Sequence, residues 1–363
     1  MNNKKYMCDI AIAPGESLKE LLEEEGLTQA ELAERMGRPK KTINEIINGK
    51  AEITADTAIQ LEMVLGVPAS FWLNLQTNYN ETLARIREKE KLAEQVAWKK
   101  AFPIAKMINN GWIKKGEDEI DQVKILLQYF GVANLVAWEK IWVPKIGLLN
   151  SFSFRKSDKF EIDKMSLAAW IRQGQIDAEK IICKDFDKKK LIQFIPKIMA
   201  LTEEKPSIFI PKLKEIGKEC GVAFVFVKEL PGLPVYGVTY WTDSSKVIVE
   251  MTLRQKTNDQ FWFSLFHEIG HIIKHGKKDF YIQDDEEQNS LWEEEANKFA
   301  RETLINDEEY TQLINDKPYT AQKIVCFSKS IGIAPGIVVG RLQHDKLIEY
   351  NKMNKLKIKY EWL

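Results

Sequence analysis

Two histidines and a glutamate set into an otherwise apolar stretch constrain this chain more than any other feature. In Gln260 to Gly276, QFWFSLFHEIGHIIKHG, His267 and His271 stand four residues apart, so on a helix their rings project from one face and can grip one cation. Glu268 follows His267 directly, within reach of a water in an open zinc position, whose proton it can take. Phe261, Trp262, Phe263, Leu265, Phe266, Ile269, Ile272 and Ile273 make the segment apolar nearly all round, the pattern of a helix buried in a core. Charges buried there need partners. The plainer reading is core histidines satisfied by ordinary hydrogen bonds. It is weakened by composition: the chain has 363 residues and only four histidines, and chance rarely arranges two of them this way around a glutamate. Gly270 costs about 1 kcal/mol against alanine inside a helix, and close approach of another backbone is the expected compensation.

A metal site of this kind needs a third ligand, and the next helical pattern offers one. Leu291 to Ile305, LWEEEANKFARETLI, places Leu291, Ala296, Phe299, Ala300 and Leu304 at helical spacing. Glu293 and Asn297 share a face, so Glu293 can complete the set while Asn297 hydrogen-bonds a ligand histidine. Glu294 and Glu295 compete for the same role, and an acidic run is by default a solvated face. His275 continues the histidine row, but Gly276 follows at once and is expected to end the helix.

HEIGH followed by EEEANKFA resembles the ImmA/IrrE-type metallopeptidases, whose pattern is HExxH, a gap, then E-x-x-A-N-x-F-A. The resemblance spans roughly residues 207–310 and implies His267, His271 and Glu293 as zinc ligands and Glu268 as general base. That family often carries an arginine just before HExxH; here the stretch is Asn258, Asp259, Gln260.

Residues 14–79 read as short helices. SLKELLEEEG carries Leu18, Leu21 and Leu22 on one face and stops at Gly26; Thr28 and Glu31 make a capping box that opens TQAELAERMG. Gly37 supplies a turn, and RPKKTINEIINGK buries Ile43, Ile46 and Ile47 while exposing its polar positions. Thr54 caps a further helix. Two short helices about a glycine turn, the second polar on its free face, form the helix-turn-helix pattern. In that reading Thr28 and Gln29 sit near phosphate, while Arg38, Lys40, Lys41, Thr42, Asn44 and Glu45 face the major groove. The rival is a helical protein-interaction module. Residues 1–79 hold 8 basic and 12 acidic side chains, which is acidic for a DNA binder, yet Arg35, Arg38, Lys40, Lys41 and Lys50 gather at the groove face. PGESLKELLEEEGLTQAELAERMG and the terminal F-W-L-N-L-Q-x-x-Y look like the HigA-type antitoxin helix-turn-helix, over about residues 12–80. That resemblance implies a homodimer on operator DNA, often autorepressing a toxin operon.

The charged stretch from Asn80, ETLARIREKEKLAEQVAWKK, reads as a helical connector. Residues 100–205 alternate helical segments with polar breaks; Trp138, Trp142 and Trp170 read as core, and no chemistry stands out. From Ile208 the pattern becomes a helix ended by Gly221, a strand VAFVFV, then GVTYWTDSSKVIVEM as two strands about a D-S-S turn. An edge strand of such a sheet can align an extended peptide. Tyr236 and Tyr240 are candidates to support a substrate oxyanion, with packing the stronger reading. Arg341 and His344 follow in SIGIAPGIVVGRLQHD, either as donors to a developing oxyanion, which makes His344 a catalytic candidate, or as structural residues. Relatives of the fused architecture look similar there. The basic tail KMNKLKIKYEWL is expected to dock on the body.

The chain is therefore expected to be α+β and mostly α. Its domains are a helix-turn-helix domain (1–80), a helical connector (81–206), a zincin-like metallopeptidase domain with a small sheet (207–310) and a C-terminal helical extension (311–363). Charge balances at 53 basic and 53 acidic residues, so bulk charge excludes no partner. The four cysteines lack CxxC spacing, and no run reaches membrane-span length, which points to a reduced, cytoplasmic protein with no membrane partner. The expected function is a DNA-binding regulator whose zinc peptidase cleaves a regulatory protein. The alternative is a non-proteolytic antitoxin or repressor whose zinc fold binds a cognate toxin or senses a signal.

Overall fold

Local capping chemistry sets out the first of two compact units, in a computed structural model that describes residues 10–151, 163–242, 245–253, 257–275 and 286–362. The first unit contains α1 (Pro14–Glu24), α2 (Gln29–Arg35), α3 (Lys40–Ile47), α4 (Ala55–Leu65) and α5 (Ala69–Glu94). Thr28 and Glu31 form the expected capping box, with Glu31 N donating to Thr28 Oγ1 at 3.2 Å and Thr28 N to Glu31 Oε2 at 2.8 Å. Thr54 caps α4 without the reciprocal bond, its side chain accepting from Thr57 N. Leu18, Leu32, Ile43, Ala58, Leu61 and Trp72 form the core. Gly15 lets α1 meet α3: a Cβ there would lie 2.1 Å from the Ile46 carbonyl oxygen. The helix that begins with the FWLNLQ segment does not stop at residue 80. α5 continues as one 26-residue rod through the charged stretch, because ETLARIREKEKLAE is made of good helix formers with no breaker.

The second unit takes in residues 97–117 and 124–363. Its helices before the sheet are α6 (Val96–Lys99), α7 (Ile104–Asn109), α8 (Glu119–Phe130), α9 (Leu135–Ser151), α10 (Lys164–Glu179), α11 (Lys188–Ala200) and α12 (Pro206–Cys220), of which α6 and α8 begin within the first unit. Three strands follow: β1 (Val222–Phe226), β2 (Gly237–Trp241) and β3 (Val247–Met251), in the order β1-β3-β2, with β1 parallel and β2 antiparallel to the central β3. Asp243 and Ser244 of the expected turn lie outside the described residues. The rest is α13 (Asn258–Lys274), α14 (Glu286–Leu304), α15 (Asp307–Asn315), α16 (Ala321–Ile331) and α17 (Pro335–His344).

Both faces of the sheet are covered, which explains why its strands read as near-continuous apolar runs. The period-2 alternation of a strand then sorts its side chains between two cores. Val222, Phe224, Val247, Val249 and Met251 pack with α12, α13 and α17. Ala223, Val225, Val238, Tyr240 and Ile248 pack on the other face with Trp170 of α10 and with Trp138 and Trp142 of α9, so all three tryptophans are core. The extension drawn at 311–363 shares its core with α13 through Ile324, Ile333, Ile337 and Leu342. The basic tail docks as expected: Lys357 Nζ donates to Asp259 Oδ2 at 2.6 Å, and Trp262 Nε1 donates to the Tyr360 hydroxyl at 2.9 Å. Among the described residues no single helix is long and apolar enough to cross a membrane.

Candidate metal centre and helix-turn-helix

α13 lies between the sheet and α14, and Gly270 lets the two helices touch. A Cβ on Gly270 would stand 3.1 Å from Ala296 Cα and 3.2 Å from the Ala296 carbonyl oxygen, the close approach expected of a glycine inside a helix. This contact brings the face carrying His267 and His271 against the face carrying Glu293 and Asn297. His267 Nε2 and His271 Nε2 are 3.0 Å apart; Glu293 Oε2 is 3.3 Å from His267 Nε2, and Glu293 Oε1 is 3.2 Å from His271 Nε2. These atoms form the one group of three or more metal-ligating side chains found among the described residues.

The donor set fits a zinc ion. Bonds of about 2.0–2.1 Å in tetrahedral geometry put ligand atoms roughly 3.3 Å apart, the spacing seen here. Hydrogen bonding points the same way. His267 Nδ1 lies 3.2 Å from Asn297 Oδ1; donating there leaves His267 Nε2 a bare acceptor facing a carboxylate oxygen and a second imidazole nitrogen. Converging acceptors call for a cation. The histidine side chains are 7% and 5% exposed, whereas Glu293 retains 29%, so the centre is open to solvent on the Glu293 side.

Glu268 is buried and held: Thr239 Oγ1 of β2 donates to Glu268 Oε2 at 2.8 Å. Gly237 keeps the strand close, because a Cβ there would come within 3.2 Å of Glu268 Cγ. Among the described residues β2 is an edge strand of the sheet, and α13 packs beside it. No local pattern marked Thr239; its role follows from where β2 docks.

The remaining candidates stand outside the group of three. His344 is exposed at the end of α17, its Nδ1 2.9 Å from Asp345 Oδ1, and Arg341 Nε donates to Asp345 Oδ2 at 2.8 Å. The metal-ligating group contains neither residue. His275 ends α13 as its C-cap, with Nε2 3.3 Å from the Trp292 carbonyl oxygen, while Gly276 lies outside the described residues. Tyr240 faces the opposite side of the sheet from Thr239, where its hydroxyl donates to Glu250 Oε2 at 3.0 Å, so its role is packing. Burial raises the Glu250 carboxyl well above the ordinary range. Tyr236 stands 39% exposed just before β2.

Burial pushes the His271 imidazole down to about 4, and the opposing pull of Glu293 is the smaller effect. The same burial raises the Glu293 carboxyl, but hydrogen bonds and charge from the two histidines in their protonated state outweigh it and hold the group well below the usual carboxylate range. A neutral His271 has a pH signature in metal-free protein. The folded imidazole titrates near 4 and the unfolded one near 6.5, so its stabilisation is complete above 6.5 and is lost as pH falls through that window. The loss is expected to be roughly 3 kcal/mol, read as a Tm drop in chelator-treated protein that His271→Ala flattens. A pH-independent Tm over that range would refute it.

The residues expected to face a DNA groove lie on and around α3. Lys40, Lys41 and Asn44 are exposed, Thr42 and Glu45 half-buried, and Lys41 Nζ lies 3.8 Å from Glu45 Oε1. Arg38 Nε is hydrogen-bonded to Gln60 of α4, tying the turn to the body. The Thr28 hydroxyl is engaged in the cap, and Gln29 opens α2 half-buried.

Comparison with known proteins follows this division. The helix-turn-helix family matches residues 18–72, and the IrrE N-terminal-like domain, peptidase family M78, matches residues 224–338. Antitoxin HigA-1 of Vibrio cholerae is 40% identical over 86 residues, which cover 23% of this chain and 81% of the relative. The chain belongs to the HigA-type helix-turn-helix family. Its C-terminal part carries an IrrE/ImmA-like peptidase-family domain. Virulence-associated protein I of Dichelobacter nodosus is 43% identical over 75 residues, covering 20% of this chain and 69% of that protein. Among solved structures, an addiction-module antidote protein of the HigA family from Coxiella burnetii is 35% identical, covers 23% of this chain and 94% of its own, and has a TM-score of 0.22. A putative antidote protein of a plasmid maintenance system from Nostoc punctiforme is 40% identical, covers 24% and 93%, and has a TM-score of 0.23. The helix-turn-helix match runs from α1 to the first turn of α5, while the IrrE-like match takes in nearly all of the sheet, α13 to α16 and the first turn of α17.

Proposed function

We propose that this HigA-type protein binds operator DNA as a homodimer through residues 1–80 and carries, in 207–310, a zinc-dependent endopeptidase that cleaves a regulatory protein. The observation that carries the peptidase reading is the convergence of His267, His271 and Glu293 with Glu268 beside them. Zinc held by that triad supplies an electrophile for the scissile carbonyl and for water. This chain's own groups do the rest. Glu268 takes the proton from the attacking water and passes it to the leaving amine, and Thr239 fixes the carboxylate that does so. The free edge of β2 can pair with an extended substrate and lay it along α13. A purely structural zinc site has no use for a base, which favours hydrolysis over a non-proteolytic, toxin-binding reading. The test is to incubate zinc-loaded full-length protein with a peptide library and map new N-termini by mass spectrometry. Cleavage that chelation stops supports the reading; a library left intact, with the metal bound, moves the function to toxin binding.

For the DNA-binding part, α3 supplies the recognition surface, with Lys40 and Lys41 on phosphate and Asn44 on a base edge. Lys41→Ala is expected to weaken binding to the protein's own promoter uniformly across sequences and to lower the salt slope by about 1. Asn44→Ala is expected to cost about 1–3 kcal/mol at one base position. Mobility-shift titrations at several salt concentrations separate the two effects, and unchanged affinity in both variants would remove α3 from the interface.

A further inference from the structure

A cavity of about 210 Å³ opens between α13, the C-terminal end of α14 and α17, and the proposed peptidase chemistry does not use it. Its walls are apolar: Phe263, Leu304, Ile305 and Ile337, the last three buried. Its polar lining is mainly basic, with Arg301, Arg341, Lys357 and His344 against the single carboxylate of Asp259. Most of these groups already have partners. Lys357 Nζ donates to Asp259 Oδ2 at 2.6 Å and to Gln343 Oε1 at 2.7 Å. Asp345 holds both Arg341 Nε and His344 Nδ1, and the Arg341 guanidinium lies 4.5 Å over the Tyr310 ring.

Arg301 is different. It is half-buried at the cavity wall, and its guanidinium has no hydrogen bond or ion pair among the described residues. A partly desolvated guanidinium beside apolar side chains is costly without an acceptor, and its planar fork matches a carboxylate. Small-molecule sites have this composition: an apolar hollow with a few placed polar groups. We propose that the cavity binds a small carboxylic acid with a branched or aromatic tail, its carboxylate on Arg301 and its tail between Phe263, Leu304 and Ile337. The volume suits one such molecule rather than an extended peptide. Anions are favoured because Lys357 already neutralises Asp259, leaving the cationic groups in excess. Arg301 follows Glu293 and Asn297 at intervals of four along α14, so the site lies about one helical turn, roughly 6 Å, beyond Asn297. The proposal does not depend on proteolysis.

A carboxylate can also bind zinc, so the test is run on chelator-treated, full-length protein with labelled Ile and Leu methyl groups. Phenylacetate is titrated, with phenylacetamide as the uncharged control. Saturable shifts of the Leu304, Ile305 and Ile337 methyl signals are expected with the acid and none with the amide. Arg301→Gln should weaken binding about tenfold or more, and Arg301→Lys should retain part of it. Three results would each overturn the site: no saturable shift, binding unchanged in Arg301→Gln, or shifts that appear only once zinc is restored, which would place the acid on the metal.

Discussion

Glu268→Gln protein is expected to keep its zinc and fold while losing hydrolysis by about 10²–10⁴-fold, the range a positioned general base contributes. The substitution is nearly isosteric, and the amide can still take the Thr239 hydroxyl hydrogen bond that the Oε2 atom accepts at 2.8 Å. What it removes is the ability to accept a proton from water. The loss should fall on kcat at unchanged zinc content, because Glu268 is not among the three ligand side chains. Cleavage kinetics with elemental analysis on the same sample check this, and wild-type hydrolysis in the variant would eliminate the assigned base.

Glu293→Ala should act on the metal itself. It removes one of the three side chains proposed to hold the metal and leaves His267 Nε2 and His271 Nε2, 3.0 Å apart, without the carboxylate that faces both. Near-complete loss of bound zinc on dialysis is expected, with one zinc per chain in the wild type. Asn297→Ala, which only releases the His267 ring, should cost about 10–100-fold in affinity. The thermal readout is independent. At a thousandfold excess over Kd, zinc stabilises the folded wild type by about 4 kcal/mol, so chelation should lower its Tm and leave that of Glu293→Ala unmoved. Zinc retained by Glu293→Ala would break the assignment of Glu293 as third ligand.

Much of the centre could be read from the chain because its pieces are helical and adjacent. His267 and His271 announce a shared face by their spacing alone, and Gly270 announced the close approach that Ala296 satisfies. Glu293 was separable from its acidic neighbours only by likeness to a family, since three consecutive glutamates present three faces and periodicity does not choose among them. Tyr240 shows the opposite case. It is of a type suited to an oxyanion, yet it faces the core beyond the sheet.

The amino-acid order by itself determined the helices, their caps, the paired histidines and the HigA-type unit, because each depends on interactions between residues a few positions apart. Only the tertiary structure decided that β2 docks with Thr239 on Glu268, that Lys357 of the tail reaches Asp259, and that Arg301 stands at the wall of a cavity. Those pairings join residues 29 and 98 positions apart along the chain. No periodic pattern records such a partner; packing, which must fill space and satisfy buried polar groups together, selects it.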